Sequence, residues 1–390
     1  MGFSGFHSPF SSRRPLPARC PARRRVVAVV SGASAETVVA VRDGLLSGEV
    51  LLIQGQSNAQ AADGHGEGLA NQSQRPWGRS FGSNSLDPAS VAADRNWRMA
   101  EGQRGSGPAA VGAWGLRLGQ LLADRQGVPI AILNGSRGGT RIDEHLRAPL
   151  DPEDLDTLYG RLLYRADRGG VRQAVTAILW LQGEADRLTS GADYADRFDQ
   201  LYRAWEEDFP ALEKVYVVQI RYGCLPSNLE VHEALRLAAS DHPKVELMAT
   251  TAVRGHDGCH YWYSGYREIG DLVERLVAHD LFGVPAIPGM RPPNVRLARY
   301  TSPQQDELRL EFHSPAAAPV FETGAEWDFL LDGGATVVSG RADGGTLLLQ
   351  VSPPGAATRI SYRSRPGNGP RVMTGLGVGI LGFHELPIRP

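Results

Sequence analysis

Ser57 lies in the run Gly55-Gln56-Ser57-Asn58, and far along the chain Asp257-Gly258-Cys259-His260 sets a carboxylate and an imidazole three positions apart. These are the residue types that nucleophilic acyl transfer needs. A serine hydroxyl is a poor nucleophile until a base takes its proton. Imidazole takes and returns a proton near neutrality, and a carboxylate fixes its tautomer and stabilises the imidazolium. Ser57 is therefore a candidate nucleophile, with His260 as base and Asp257 as orienter. Singly, each motif is ordinary: a Gly-x-Ser is more often a serine capping a helix, and an Asp-x-x-His more often a surface loop. His256, next to Asp257, is the competing imidazole; His65, His145, His232 and His242 have no comparable carboxylate spacing.

Two further clusters supply groups that an oxyanion needs. In Asn134-Gly135-Ser136-Arg137-Gly138-Gly139-Thr140 the glycine pair lets backbone approach a ligand, so Gly138 or Gly139 can offer an N–H, although a plain tight turn is the commoner reason for such a pair. In Trp180-Leu181-Gln182-Gly183-Glu184-Ala185-Asp186 the Gln182 amide is a second candidate donor. Glu184 and Asp186 either orient neighbours and bind ligand hydroxyls or are solvated loop acids. Gln56, Asn58, Gly138 and Glu184 are taken as supporting or substrate-binding residues.

Something must bring these clusters together, and the pattern around them says what. Val50-Leu51-Leu52-Ile53, Pro129 to Leu133, Val175 to Leu181, Val215 to Ile220 and Val245 to Ala249 are apolar runs without alternation, as in strands buried on both faces of a parallel sheet. Between them Val111 to Arg125, Tyr194 to Phe209, His232 to Ala239 and Tyr266 to His279 carry apolar residues at helical spacing. Alternating strands and helices predict right-handed crossovers and a doubly wound α/β sheet. Such sheets bind ligands at the carboxyl ends of their strands, and all four clusters fall at or just beyond such ends.

The texture changes at Pro285, Pro288, Pro292 and Pro293, which can continue neither helix nor central strand. Residues 36–284 are thus expected to form the α/β domain, 285–293 a linker, and 294–390 a small all-β, sandwich-like domain of short strands (Leu308 to Phe312, Thr346 to Val351, Thr358 to Tyr362) between Gly, Pro and Asp turns. Residues 1–35 hold arginines and serines and no acid. They read as a disordered leader or the remnant of an upstream strand, because Val26 to Val30 is too short for a signal-peptide core. Export is left open.

In the 390 residues, 41 Lys+Arg against 43 Asp+Glu give a formal net charge of -2, so no overall basic field exists to gather nucleic acid or anionic lipid. No apolar window is long enough for a membrane-spanning helix. Cys20, Cys224 and Cys259 are too few for a disulfide framework; Cys224 and Cys259 form either one bridge or, more commonly, two buried thiols.

Taken in order, Gly55 to Asn58, Asn134 to Thr140, Trp180 to Asp186 and Asp257 to His260 resemble the blocks of the sialate O-acetylesterase-like branch of the SGNH hydrolases, which includes carbohydrate esterase family six. The resemblance covers about Gly48 to Gly283. It implies a flavodoxin-like three-layer α/β/α fold and a Ser57, His260 and Asp257 triad. It also implies an oxyanion hole from Ser57 N–H, a glycine of the second block (Gly139) and Gln182, and removal of acetyl groups from acetylated carbohydrate without metal or organic cofactor. The alternatives are a binding protein that keeps the cleft without turnover, and an esterase or thioesterase acting on a non-sugar ester. Ala59 stands where the family commonly has Met and Tyr261 where it has Pro; both are expected near the pocket. The stretch His65 to Arg104, with Trp77 and Trp97, is expected to be a lid or sugar platform, surface packing being the alternative. Asn368 to Pro387 resembles, less specifically, the closing β segment of the same proteins.

Overall fold

The computed structural model describes residues 24–31, 36–224, 228–314 and 319–390. In chain order its first elements are β1 (Arg24–Ser31), β2 (Glu36–Leu45), β3 (Glu49–Gly55), α1 (Ser57–Gln60), β4 (Gly78–Phe81), α2 (Pro88–Ala93), β5 (Trp97–Met99) and α3 (Ala113–Gln126). There follow β6 (Ile130–Asn134), α4 (Leu158–Arg168), β7 (Val175–Leu181), α5 (Gly191–Asp208), β8 (Lys214–Gln219), α6 (Leu229–Asp241), β9 (Val245–Ala249) and α7 (Tyr263–Phe282). The main sheet has the order β5-β4-β6-β3-β7-β8-β9. Every pairing in it is parallel except that of β5 with β4.

The apolar runs become its central strands because helices close both faces: Leu51, Leu52 and Ile53 of β3 are 0 % exposed. Helix α3 packs on α7, and α5 on α6, giving a three-layer α/β/α arrangement. The strand order reverses between β6 and β7, on either side of β3, so the residues after β3 occupy the switch point where such sheets take ligands.

Glycine allows the central strands to close there. Gly55 has φ +143°, and a Cβ on it would stand 2.0 Å from Leu181 O. With hydrogen in its place, the Gln56 amide reaches that carbonyl at 3.0 Å and ties the end of β3 to the end of β7.

Beyond α7, residues 283–294 carry no helix or strand. The second, β-rich C-terminal domain then holds β10 (Val295–Tyr300), β11 (Glu307–Phe312), β12 (Pro319–Phe321), β13 (Phe329–Leu331), β14 (Thr336–Asp343), β15 (Thr346–Ser352), β16 (Arg359–Tyr362), β17 (Val372–Thr374) and β18 (Phe383–Arg389). Seven of these form one sheet, β13-β16-β18-β10-β11-β15-β14, and β12 pairs with β17 beside it. In β11 every second residue is buried, as expected of a strand with one face on a core.

Some expectations change. Residues 24–31 of the expected leader form β1, paired antiparallel with β2. Residues 1–23, with Cys20, and 32–35 lie outside the described residues. The stretch His65 to Arg104 is not one long loop: β4 and β5 extend the main sheet, with the helix α2 between them. Trp77 packs against the core, and its carbonyl accepts the amide of Ile130 at 3.0 Å, at the amino end of β6 and away from the strand ends where the clusters gather. Trp97 lies on edge strand β5, its ring 5.4 Å from Phe81. Packing accounts for Trp77, whereas Trp97 is 40 % exposed, with its ring near Phe81 at the sheet surface. Among the described residues no helix is long and apolar enough to cross a membrane.

Candidate active site

Ser57 opens the single-turn helix α1 directly after β3, half-buried. His260 Nε2 stands 3.0 Å from its Oγ, across 203 residues of sequence. The imidazole is carried on a short hairpin between β9 and α7. His256 bridges Tyr261, the Asp257 amide donates to His260 O at 3.0 Å, and Trp262 N–H closes the base on Gly255 O at 2.8 Å. The competitor His256 faces elsewhere: its Nδ1 accepts the Gly258 amide at 3.2 Å. Burial, with the nearby Arg221 and Arg371 cations, pushes its pKa down to about 4.

Asp257 is at the same hairpin tip and exposed. Its Oδ1 accepts the amides of Cys259 and His260, each at 2.7 Å, and its Oδ2 is 3.6 Å from His65 Nε2. Desolvation opposes its charge, but those two amides and the imidazoles of His260 and His65 outweigh it and hold the carboxyl below its ordinary range. The carboxylate acts on the His260 ring through space, without a hydrogen bond to it.

The Gly138-Gly139 turn lies against the serine: a Cβ on Gly138 would stand 3.4 Å from Ser57 Cβ. Gly138 N–H is taken by Gln60 Oε1 at 3.1 Å, whereas the N–H groups of Ser57 and Gly139 have no acceptor among the described residues. Gly139, at φ +78°, is exposed.

Gln182 does not fit the donor role expected of it. Its Nε2 points to Asp186 Oδ2 at 2.5 Å, Thr140 O at 3.0 Å and Gln56 Oε1 at 3.3 Å, and its Oε1 accepts Tyr194 OH at 2.9 Å. An amide nitrogen has two hydrogens, and in this fully buried side chain both are engaged internally, by Asp186 within the third block and by the neighbouring blocks at Thr140 and Gln56.

The supporting residues prove to be fasteners. Gln56 Oε1 accepts the amides of Gly183 at 3.2 Å and Ala185 at 3.1 Å, fixing the third block against the first. Asn58 Nδ2 donates to Glu184 Oε1 at 2.8 Å and Cys259 O at 3.0 Å, and Asn58 Oδ1 accepts Tyr266 OH at 3.1 Å. One amide thus joins the serine turn, the third block and the histidine hairpin. Burial raises the pKa of Glu184, whose Oε2 has no partner among the described residues. Asp186 accepts the Ile142 amide at 3.0 Å and Thr189 Oγ1 at 2.9 Å, as a structural acid.

Sequence alone pointed neither to Arg221 nor to the contact of His65 with Trp262, and it left the pairing of Cys224 with Cys259 open. Arg221, buried just past β8, donates to Gly258 O and lies 5.8 Å over the Tyr261 ring. A cation beyond a central strand end is the signal that would have found it. Cys224 and Cys259 are joined as a disulfide, the less common of the two arrangements weighed, which ties the loop after β8 to the hairpin. His65 and Trp262, 38 % exposed, face each other edge-on at 6.3 Å beside Asp257. Ala59 and Tyr261, expected near the pocket, are core residues, 0 % and 2 % exposed. Among the described residues no group of three or more His, Cys, Asp or Glu side chains is placed to hold a metal ion.

A comparison with protein families matches residues 47–278 to the family described as carbohydrate esterase, sialic acid-specific acetylesterase. A search of curated proteins finds no match. Among solved structures, the fold resembles a carbohydrate acetylesterase from Xanthomonas citri with TM-score 0.68 and 19% identity, over 92% of this chain and 84% of that one. A protein of Arabidopsis thaliana is a looser likeness, with TM-score 0.44 and 18% identity over 57% and 95% of the two chains. The family match spans more than half of the chain, and it makes the protein a carboxylic ester hydrolase rather than a binding protein without turnover. The chain therefore belongs to the carbohydrate esterase family of sialic acid-specific acetylesterases.

Proposed function

We propose that this esterase removes O-acetyl groups from carbohydrate through an acetyl-serine intermediate, with Ser57 as nucleophile, His260 as base and Asp257 as its electrostatic partner. The single observation that carries this reading is the 3.0 Å approach of His260 Nε2 to Ser57 Oγ. Ser57 Oγ attacks the acetyl carbonyl carbon while its proton passes to His260 Nε2. The oxyanion rests on the unengaged N–H groups of Ser57 and Gly139. Collapse breaks the bond to the sugar oxygen, which leaves with the proton from His260. Water, deprotonated by the same imidazole, then attacks the acetyl-serine, releases acetate and restores Ser57. The Asp257 carboxylate, ionised across the neutral range, stabilises the imidazolium formed in each half.

Ser57→Ala tests the reading. Hydrolysis of 4-nitrophenyl acetate is expected to fall by about 10⁴-fold or more while circular dichroism is unchanged; turnover near the wild-type rate would move the nucleophile elsewhere. Acetate release from acetylated xylan, pectin fragments and O-acetyl sialic acid, assayed side by side, identifies the sugar. Turnover only on simple non-sugar esters would replace the carbohydrate assignment.

A further inference from the structure

The hairpin that carries Asp257 and His260 is held by few bonds of its own. Two residues at its tip and two at its base are joined through the backbone, and an isolated two-stranded hairpin is marginal in water. Its orientation must come from what surrounds it, and much of that lies in the C-terminal domain. At the base, Gly255 N–H donates to Asn368 Oδ1 at 3.2 Å, and Arg254 Nη2 reaches both oxygens of Glu322 at 3.0 and 2.9 Å. Just upstream, Thr251 Oγ1 donates to Ile380 O at 2.6 Å.

The segment that makes these contacts is itself braced. Glu322 Oε2 accepts the Arg371 amide at 2.8 Å, and the buried Arg371 guanidinium donates to Gly367 O and, at 3.0 Å, to Pro370 O. Arg365 Nε donates to Asp328 Oδ1 at 2.9 Å. From this platform the segment also touches the neighbouring arm of the site. Arg363 donates to Tyr222 OH at 2.9 Å and lies 4.7 Å over the Tyr222 ring. A Cβ on Gly223 would stand 3.0 Å from Pro366 and 3.2 Å from Gly258 O. The C-terminal segment thus braces the same two arms that the Cys224–Cys259 disulfide joins.

We propose that the C-terminal domain is a working part of the esterase, with Asn368 and Glu322 as positioning residues that aim the His260 hairpin at Ser57. This rests on the assignment of Ser57 and His260 given above. It gives the β-rich domain a role in turnover separate from any grip on the sugar, because neither residue has to touch substrate. Displacing a catalytic group by about 1 Å can cost about 10²-fold in rate, so a hydrogen bond at the hairpin base is worth more to turnover than to stability.

The test uses the full chain and 4-nitrophenyl acetate, a substrate with no sugar to bind. Asn368 is exposed, so Asn368→Ala is expected to leave the thermal midpoint within a few degrees of wild type. Its kcat should fall about ten- to a hundred-fold while KM changes less than about twofold. Asn368→Asp keeps the acceptor for Gly255 N–H and should recover most of that kcat. Glu322→Gln, which weakens the Arg254 pair and keeps an acceptor for the Arg371 amide, should lower kcat in the same manner. Unchanged kcat in folded Asn368→Ala and Glu322→Gln proteins would overturn the proposal. So would a loss that appears equally in KM or is not repaired by Asn368→Asp. Ser57→Ala, assayed alongside, separates the two levels: if it retains turnover the underlying site assignment fails, whereas an inactive Ser57→Ala beside fully active Asn368→Ala and Glu322→Gln sinks the positioning role alone.

Discussion

At the scale of residues, the buried polar side chains beside Ser57 hold the site together rather than do chemistry. Asn58, Gln56 and Gln182 each join two or more of the loops that meet around Ser57. His145 shows what such placement does to ionisation. Thr140 Oγ1 gives its one hydrogen to Arg137 O at 2.7 Å, so at 2.8 Å from His145 Nε2 it must accept, and the ring is the neutral Nε2–H tautomer. Burial pushes the His145 pKa down to about 3, and burial together with His384 pushes that of His232 down to about 4. Both folded values lie below the ordinary 6.5, so the unfolded chain binds the extra protons. The stability these neutral rings contribute is complete above about pH 6.5 and is lost as pH falls toward 4, at up to about 1.4 kcal/mol per pH unit for each ring. Urea unfolding between pH 7.5 and 4.5 should show this decline. His232→Leu, which removes a ring with no hydrogen-bond partner among the described residues, should flatten it; an unaltered slope in that variant would rule the ring out as its source.

At the scale of elements, four strand-end loops build the site, and the last of them, the histidine hairpin, is stapled to the loop after β8. Cys224 follows β8 and Cys259 sits at the hairpin tip, 35 residues apart in sequence, with Cys259 Sγ 4.0 Å from His260 Nε2. Closing a loop of that length restricts the unfolded chain by about 3 to 4 kcal/mol in the chain-entropy account. Reduction with dithiothreitol, or a Cys224→Ser/Cys259→Ser double variant, should therefore lower the urea midpoint; equal midpoints with and without the bond would contradict this. Sequence periodicity revealed the central elements well, because strands buried on both faces must be continuously apolar. It did not reveal β4, β5 or α4. β5, Trp97-Arg98-Met99, is a three-residue edge strand, and β4 beside it is four residues long with Gly78-Arg79-Ser80 among them; such short strands at the margin of a sheet carry too little apolar sequence to show a period. α4 buries Arg161 and Arg165 among its apolar residues, and Arg165 donates to Asn134 O at 2.7 Å and Phe81 O at 3.0 Å. Charged residues turned inward break the pattern that periodicity relies on.

At the scale of the whole molecule, the two hydrophobic cores are separate in composition but share a seam. Val378 and Leu381, from the C-terminal part of the chain, pack into the core of the α/β domain. The buried Gln219 amide pairs with Gly382 in both directions, at 2.9 and 2.8 Å, and Arg236 Nη1 donates to Asn294 Oδ1 at 2.8 Å. Unfolding either domain would break these bonds and expose the apolar seam at Val378 and Leu381, so calorimetry should record one cooperative unfolding transition; two resolved transitions would disprove the coupling. The sequence by itself determined the doubly wound sheet, the strand ends where chemistry gathers, and the candidacy of Ser57 and His260. Those follow from local apolar periodicity and from residue type, which are properties of short stretches. Only the tertiary structure decided which imidazole meets the serine, that Gln182 is spent internally, that Cys224 and Cys259 pair, and that the C-terminal domain reaches the histidine hairpin. Each of these is a contact between residues remote in the chain, fixed by how layers pack, and no local pattern of residue types encodes such a distance.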